Sequence, residues 1–177
     1  MLVVALIMLV VISLLATLSI RNATSTEAVA GSVRTTELAT QAAEIALKHC
    51  EQSLESLMSV SGGGTATYAT TVTLANILPY NSTPLWQSTT IWDSNSTASF
   101  VVPVSLVNQA SLRSTYQRPP ECMIEPLPVM VTGGTTSFTA SFVVTARGFG
   151  PEVPAANAAR NRPAGSEVWL QSHIEFQ

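Results

Sequence analysis

The chain has 177 residues, a length that suits one domain plus an anchoring segment. Only 11% are charged, against roughly 25% in typical globular chains, and the net charge is −3. Its eight lysines and arginines form no basic run, which excludes nucleic-acid recognition built on clustered cations.

Residues 1–20, from Met1 to Ile20, carry no charged side chain. About 20 apolar residues at ~1.5 Å each span the ~30 Å hydrocarbon core, so this run is long enough to cross a bilayer. Ser13, Thr17 and Ser19 do not spoil it, because their hydroxyls bond back to the helix backbone. A secretory signal would start with basic residues, hold a shorter apolar core and end at a small-residue cleavage site. Here no cation precedes the run and no breaker follows it, as expected of a chain from which a basic leader has been cut.

From Arg21 the helical pattern continues to residue 60. Apolar residues recur at Ala39, Ala43, Ala46 or Leu47, Cys50, Leu54 and Leu57 or Met58, a spacing of three and four that makes one stripe. Leu38 and Ile45 fall about 100–120° to one flank, placed to meet a neighbouring chain. The opposite charges Arg34/Glu37 and Glu44/Lys48 lie on the wet side. Gly31 suits either a bend or a close-packing contact, and "SGGG" at 61–64 ends the helix. A helix of about 60 residues is ~90 Å long.

Beyond residue 64 the texture is that of strands. Candidates are 66–75, 98–107 with the interrupting Pro103, 121–129 ended by Pro126 and Pro128, 136–148, and 166–176. In the fourth, Phe138, Ala140, Phe142 and Val144 share a side; in the last, Val168, Leu170, Ser172, Ile174 and Phe176 do. The final three are expected to form an antiparallel sheet whose apolar face covers the helix stripe. Segments 76–97 and 108–120 read as irregular excursions, and 149–165 as a Gly/Pro/Asn loop. The organisation is therefore α+β: an apolar helix half at 1–20, an amphipathic half at 21–60, and a β-rich head at 61–177.

Two cysteines, Cys50 and Cys122, and two histidines, His49 and His173, are too scattered for a structural zinc site, and no metal or cofactor motif occurs. One disulfide between distant parts of the chain is expected, which implies an oxidising compartment; two buried free thiols are the alternative. No serine, cysteine or acidic partner places either histidine in a catalytic motif, so no catalytic residue is assigned. "SGGG" and "TGG" (132–134) lack a phosphate loop's strand and lysine, and read as turns. The Asn-x-Ser/Thr triplets at 22, 81 and 95 read as chance in a Ser/Thr-rich chain. Tyr80, Trp86 and Trp92 are either core fillers or a contact surface for a partner.

A long N-terminal helix, apolar then amphipathic, leading into a small antiparallel sheet closed by a disulfide is the plan of type IV pilins. The stretch "LVVALIMLVVISLL" followed by "RNAT…E…AGSVRTTELATQAAEIAL" resembles PilX-type minor pilins, with Ala42, Ala43, Glu44, Ala46 and Leu47 forming the "AAE-AL" segment. The ending "FVVTARGFG…EVWLQSHIEF" is similar to that family's final hairpin, whereas 61–118 matches no pattern. The resemblance implies a type IV pilin fold and a processed N-terminus at or beside Met1. Most pilins carry a glutamate at the fifth mature position; here Ala5 stands there, and residues 1–20 contain no acid. An unpaired carboxylate in lipid or a filament core is costly, and a subunit with no neighbour above gains nothing from one.

The absence is shared with K-type pseudopilins and implies a place at the pilus tip. The implied function is a non-enzymatic subunit of a priming complex, held in the bacterial inner membrane with its head in the periplasm, then carried out on the pilus. Implied partners are other minor pilins, a tip adhesin and the major pilin below. Two other readings remain open: a pseudopilin of a type II secretion system, against which the short length argues, and a membrane-tethered periplasmic binding or enzymatic domain.

Overall fold

The structure, a computed structural model, describes residues 2–94, 97–108, 115–131 and 135–176. Helix α1 is Leu2–Ser61; the strands are β1 Phe100–Val101, β2 Glu121–Pro126, β3 Val129–Val131, β4 Thr135–Ser137, β5 Ser141–Phe149 and β6 Glu167–Glu175. The chain comprises two compact units, Met1–Thr35 and Thr36–Gln177.

In the first unit, every described side chain over residues 2–34 is exposed, including Leu2, Leu9, Ile12 and Leu15. The Thr17 hydroxyl donates to Leu14 O at 2.8 Å, the backbone return expected of it. The α-helix passes through Gly31 unbroken, and a Cβ there would meet nothing within 4 Å. The expected membrane span at 1–20 is matched in helicity and exposure only. Among the described residues no helix is long and apolar enough to cross a membrane.

In the second unit, α1 lies on the four-stranded antiparallel sheet β1-β2-β5-β6. The stripe read from the sequence is the buried face: Ala39, Ala42, Ala43, Ala46, Cys50 and Leu54 are fully covered. Its side chains grow along the helix. At the alanine end the sheet offers Gly148, where a Cβ would fall 2.3 Å from Ala39 O and 2.3 Å from Ala43 N. Backbone therefore rests on backbone there. At the other end Leu54 packs with Ile124, Phe142 and Val144, each such side chain contributing about 1.5–3 kcal/mol by its burial.

The two-residue alternation of β2 and β5 sends Cys122, Ile124, Phe142, Val144 and Ala146 to the helix. Glu121, Met123, Glu125, Val143, Thr145 and Arg147 go to the opposite face, and these too are buried. After a 3-10 turn at Leu74–Asn76, the excursion at 76–97 holds one further 3-10 turn, Leu85–Gln87, and one helical turn, α2 (Thr89–Trp92), and it lies over this second face.

Three expected strands differ. Residues 66–73 are irregular because an α1 hydroxyl satisfies their backbone in place of a ladder: Ser56 Oγ accepts from Thr67 N at 3.1 Å and Tyr68 N at 3.2 Å and lies 3.3 Å from Tyr68 O, while Ser53 Oγ holds the Thr70 side chain at 2.6 Å. Pro103 confines the second to Phe100–Val101, after which the chain turns into a 3-10 helix, Val104–Leu106. The candidate at 136–148 divides, Thr135–Ser137 pairing with Val129–Val131 in a separate hairpin. Phe138 consequently leaves the Phe142 side and packs on Tyr80 with the rings tilted at 37° and their centroids 4.6 Å apart. Residues 109–114, most of the excursion placed at 108–120, and the "TGG" turn at 132–134 lie outside the described residues.

Gly148→Ala is expected to lower the stability of the head by about 3 kcal/mol or more, since neither backbone can withdraw from the added carbon. Thermal unfolding of the variant beside the parent checks this, and an equal midpoint would refute the seat of α1 on β5.

Candidate functional site

Of the residues singled out in the sequence, Met1 lies outside those described. Ala5 and Ile20 are exposed on α1, Ile20 with 63% of its surface open. Cys50 and Cys122 are brought together. They form a disulfide across 72 residues of sequence, with Cα atoms 6.6 Å apart and both side chains fully buried between α1 and β2. In the chain-entropy picture a loop of that size stabilises the fold by roughly 4 kcal/mol. The head is thus covalently fastened to the helix that carries the exposed apolar run.

Near the disulfide, just over two turns of α1 line a groove of about 350 Å³ with Glu44, Ile45, Lys48, His49, Gln52 and Tyr68 among its walls. His49 is buried there, its ring stacked on Phe100 with centroids 6.0 Å apart and its Nδ1 2.9 Å from the Tyr68 hydroxyl. Its Nε2 has no hydrogen-bond partner among the described residues. Burial disfavours the imidazolium and pulls the His49 pKa below the ordinary 6.5.

On the other face, Arg147 is fully buried at the centre of a charged and aromatic cluster. Its Nη2 donates to Glu121 Oε2 and to Trp92 O, both at 3.0 Å, and its Nη1 to Asp93 Oδ1 at 2.6 Å and Glu167 Oε1 at 3.4 Å. Trp92, Phe149 and Trp169 surround the guanidinium, with centroids 5.3, 5.0 and 5.1 Å from its carbon. Glu121 also pairs with Arg118 at 3.7 Å and with Arg160. Burial lowers the Arg118 pKa; Glu121 opposes this most, Arg147 and Arg160 push the same way as burial, and Asp93 opposes it. Glu125, the second buried acid, accepts from Leu85 N at 2.9 Å and Trp86 N at 2.8 Å. These two anchors fix the excursion to the sheet.

No group of three or more His, Cys, Asp or Glu able to hold a metal occurs among the described residues. Ser141 Oγ and His173 Nε2 are 2.7 Å apart, the spacing of a nucleophile and its base. Ser141 is fully buried, however, and among the described residues no carboxylate bonds the other ring nitrogen. The three aromatics singled out in the excursion divide: Trp92 is core, Trp86 is half-buried, and Tyr80 is exposed. Comparison with protein-family models, curated proteins and solved structures finds no match.

The sequence reading missed the Arg147 cluster. Alternation along 141–149 shows that Thr145 and Arg147 oppose Val144 and Ala146, but not that anything covers them. The available signal was Trp92-Asp93, an aromatic beside the only charge in 61–106, in a segment with no other reason to hold either.

Arg147→Ala is expected to cost about 3–5 kcal/mol, because it leaves the buried Glu121 and the partly buried Asp93 without their shared cation. Denaturant titration measures this directly, and a loss under about 1 kcal/mol would refute a central role. A second expectation concerns pH. A lowered His49 pKa means the unfolded chain takes up the proton first, so its stabilisation is present above 6.5 and is lost as pH falls below it. His49→Gln should flatten the midpoint-against-pH curve in that window. Glu152 acts lower: burial alone would raise it, but hydrogen bonds from the Ser166 hydroxyl and backbone outweigh this and lower it from 4.5. An unchanged slope between about pH 6.5 and 5 in the variant would exclude His49 as the sensor.

Proposed function

We propose that the chain is a minor pilin of the PilX type, a non-enzymatic subunit of the complex that primes type IV pilus assembly from the tip. The observation that carries this reading is the exposed, acid-free apolar helix running without a break into the face that seats the head. Contiguous exposed apolar surface of this extent marks a membrane or protein contact. Residues 1–20 hold the subunit in the inner membrane, with the head on the periplasmic side, until assembly. The same residues then enter a bundle of similar helices formed by other minor pilins, beneath a tip adhesin and above the major pilin.

Moving from lipid to a helix bundle changes little in hydrophobic free energy, so packing of small residues sets the contact. Ala5, Ala16, Ala23, Ala28, Ala30 and Gly31 permit close approach of neighbouring backbones. Among the described residues a Cβ at Gly31 would meet nothing within 4 Å, which leaves that close approach to a neighbour. Ala5 in place of a glutamate relieves this subunit of a buried carboxylate that would have no neighbour to neutralise it.

Ala5→Glu tests the reading. An uncompensated carboxylate at this depth costs about 2.5–3.5 kcal/mol, so the variant should enter sheared pili at about one-tenth of the parent level or less. Deleting the chain should likewise reduce the number of pili per cell. Parent-like incorporation of the variant together with full piliation in the deletion strain would overturn the assignment.

A further inference from the structure

The two edges of the main sheet are unlike. β1 is two residues long and is followed by Pro103, so it offers little to pair with. β6 is nine residues long, contains no proline, glycine or lysine, and pairs with β5 in one continuous register. Its acidic residues, Glu167 and Glu175, stand only at its two ends, Glu167 turned inward to Arg147, so the middle of the edge carries neither proline, bulge nor lysine to blunt it. Gly150 N donates to Ser166 O at 3.0 Å and Phe176 N to Ala140 O at 2.7 Å, which fixes the parity of the ladder. Even-numbered residues of β6 direct their amides and carbonyls to β5; those of Glu167, Trp169, Gln171, His173 and Glu175 point away from the sheet. No described strand takes them up.

The side chains of these odd-numbered residues share the second face, and there β6 is flanked by two adjoining depressions. One, about 400 Å³, lies between Trp86, Thr89, Trp169 and Gln171; the other, about 350 Å³, between Trp86, Leu127, Gln171 and His173. Free main-chain groups beside pockets for alternate side chains are the elements of recognition by strand addition. We infer that β6 accepts an extended segment of a different protein as a fifth strand, its alternate apolar side chains entering the two depressions. A second copy of this chain is the poorer occupant. Antiparallel pairing of two β6 strands in full overlap, centred on Gln171, sets Glu167 opposite Glu175 at both ends, a repulsive arrangement. Glu175 is exposed and makes no ion pair among the described residues, so the incoming strand carries a lysine or arginine across from it. This inference is independent of the role of the apolar helix.

The test uses the full chain in detergent micelles and a peptide library of about nine residues, alternating Thr with Val, Ile, Leu or Phe and bearing one lysine at either terminus. Members should bind with saturation. Methylating the amides that face β6, or the substitution Gln171→Pro, should each weaken binding about tenfold or more, because both delete edge hydrogen bonds. Gln171→Pro removes an outward amide and should leave the melting midpoint within a few degrees. Should it unfold, Glu175→Lys decides alone, by exchanging the preference from lysine-bearing to glutamate-bearing peptides. Three results overturn the inference: no member binding the monomer below about 100 µM; binding indifferent to methylation and to Glu175→Lys; or a dimer that Gln171→Pro dissociates, which would give the edge to a second copy.

Discussion

Gly148 lets the main chain of α1 rest directly on that of β5, and much of the head follows from that contact. With Ala39 and Ala43 pressed against a bare strand, the helix can neither roll nor slide without meeting backbone atoms. Cys50 lies seven residues beyond Ala43, two turns along the same face, and Cys122 is the cross-strand partner of Ala146 on the helix side of the sheet. The disulfide therefore closes where packing has already brought the two residues together. The small residues at one end of the stripe and the leucines at the other are one design, fitted to a sheet that is flush with the helix near Gly148 and separated from it near Phe142.

The second face of the sheet is held by charge. Burying Arg147, Glu121 and Glu125 carries a desolvation cost of several kcal/mol per ion, which ion pairs and hydrogen bonds must offset. The offset is extensive: Arg147 has three acidic partners, a carbonyl and three aromatic rings, and Glu125 has two amide donors. A hydrophobic patch could have covered this face as stably, but only directional contacts specify which part of an irregular segment lies where. The excursion at 76–97, almost without regular structure, is placed by those contacts. With one face closed by α1 and the other by this segment, the sheet's remaining freedom is at its edges.

Period decided what was legible in the sequence. The three-and-four stripe of α1 and the alternation within 136–148 and 166–176 each point to one element and one orientation; the helix and an antiparallel sheet from the last part of the chain were readable from them, whereas the division of 136–148 into β4 and β5 was not. β-branched content without strict alternation misled at 66–75, where a serine on α1 captures the backbone before any strand can. Burial of charge was unreadable, because a strand's polar side looks alike whether water or another segment covers it. Gly148 was visible within "TARG-G", yet its reason, the approach of Ala39 and Ala43, required the packed structure.

The scarcity of charge in the composition resolves into two regimes. The first acid after the N-terminus is Glu27, and the first twenty residues have neither acid nor base. In the head, by contrast, arginines and acids are drawn inward and matched to one another, so that Arg147, Glu121 and Arg118 are almost wholly covered. A chain that buries charge this freely where it can build the counter-charges, and excludes it where it cannot, treats the helix as a surface whose cover comes from outside. The missing carboxylate at Ala5 belongs to that second regime. Among the described residues 2–20 no cation stands by to neutralise one, and in the proposed tip position no neighbour would.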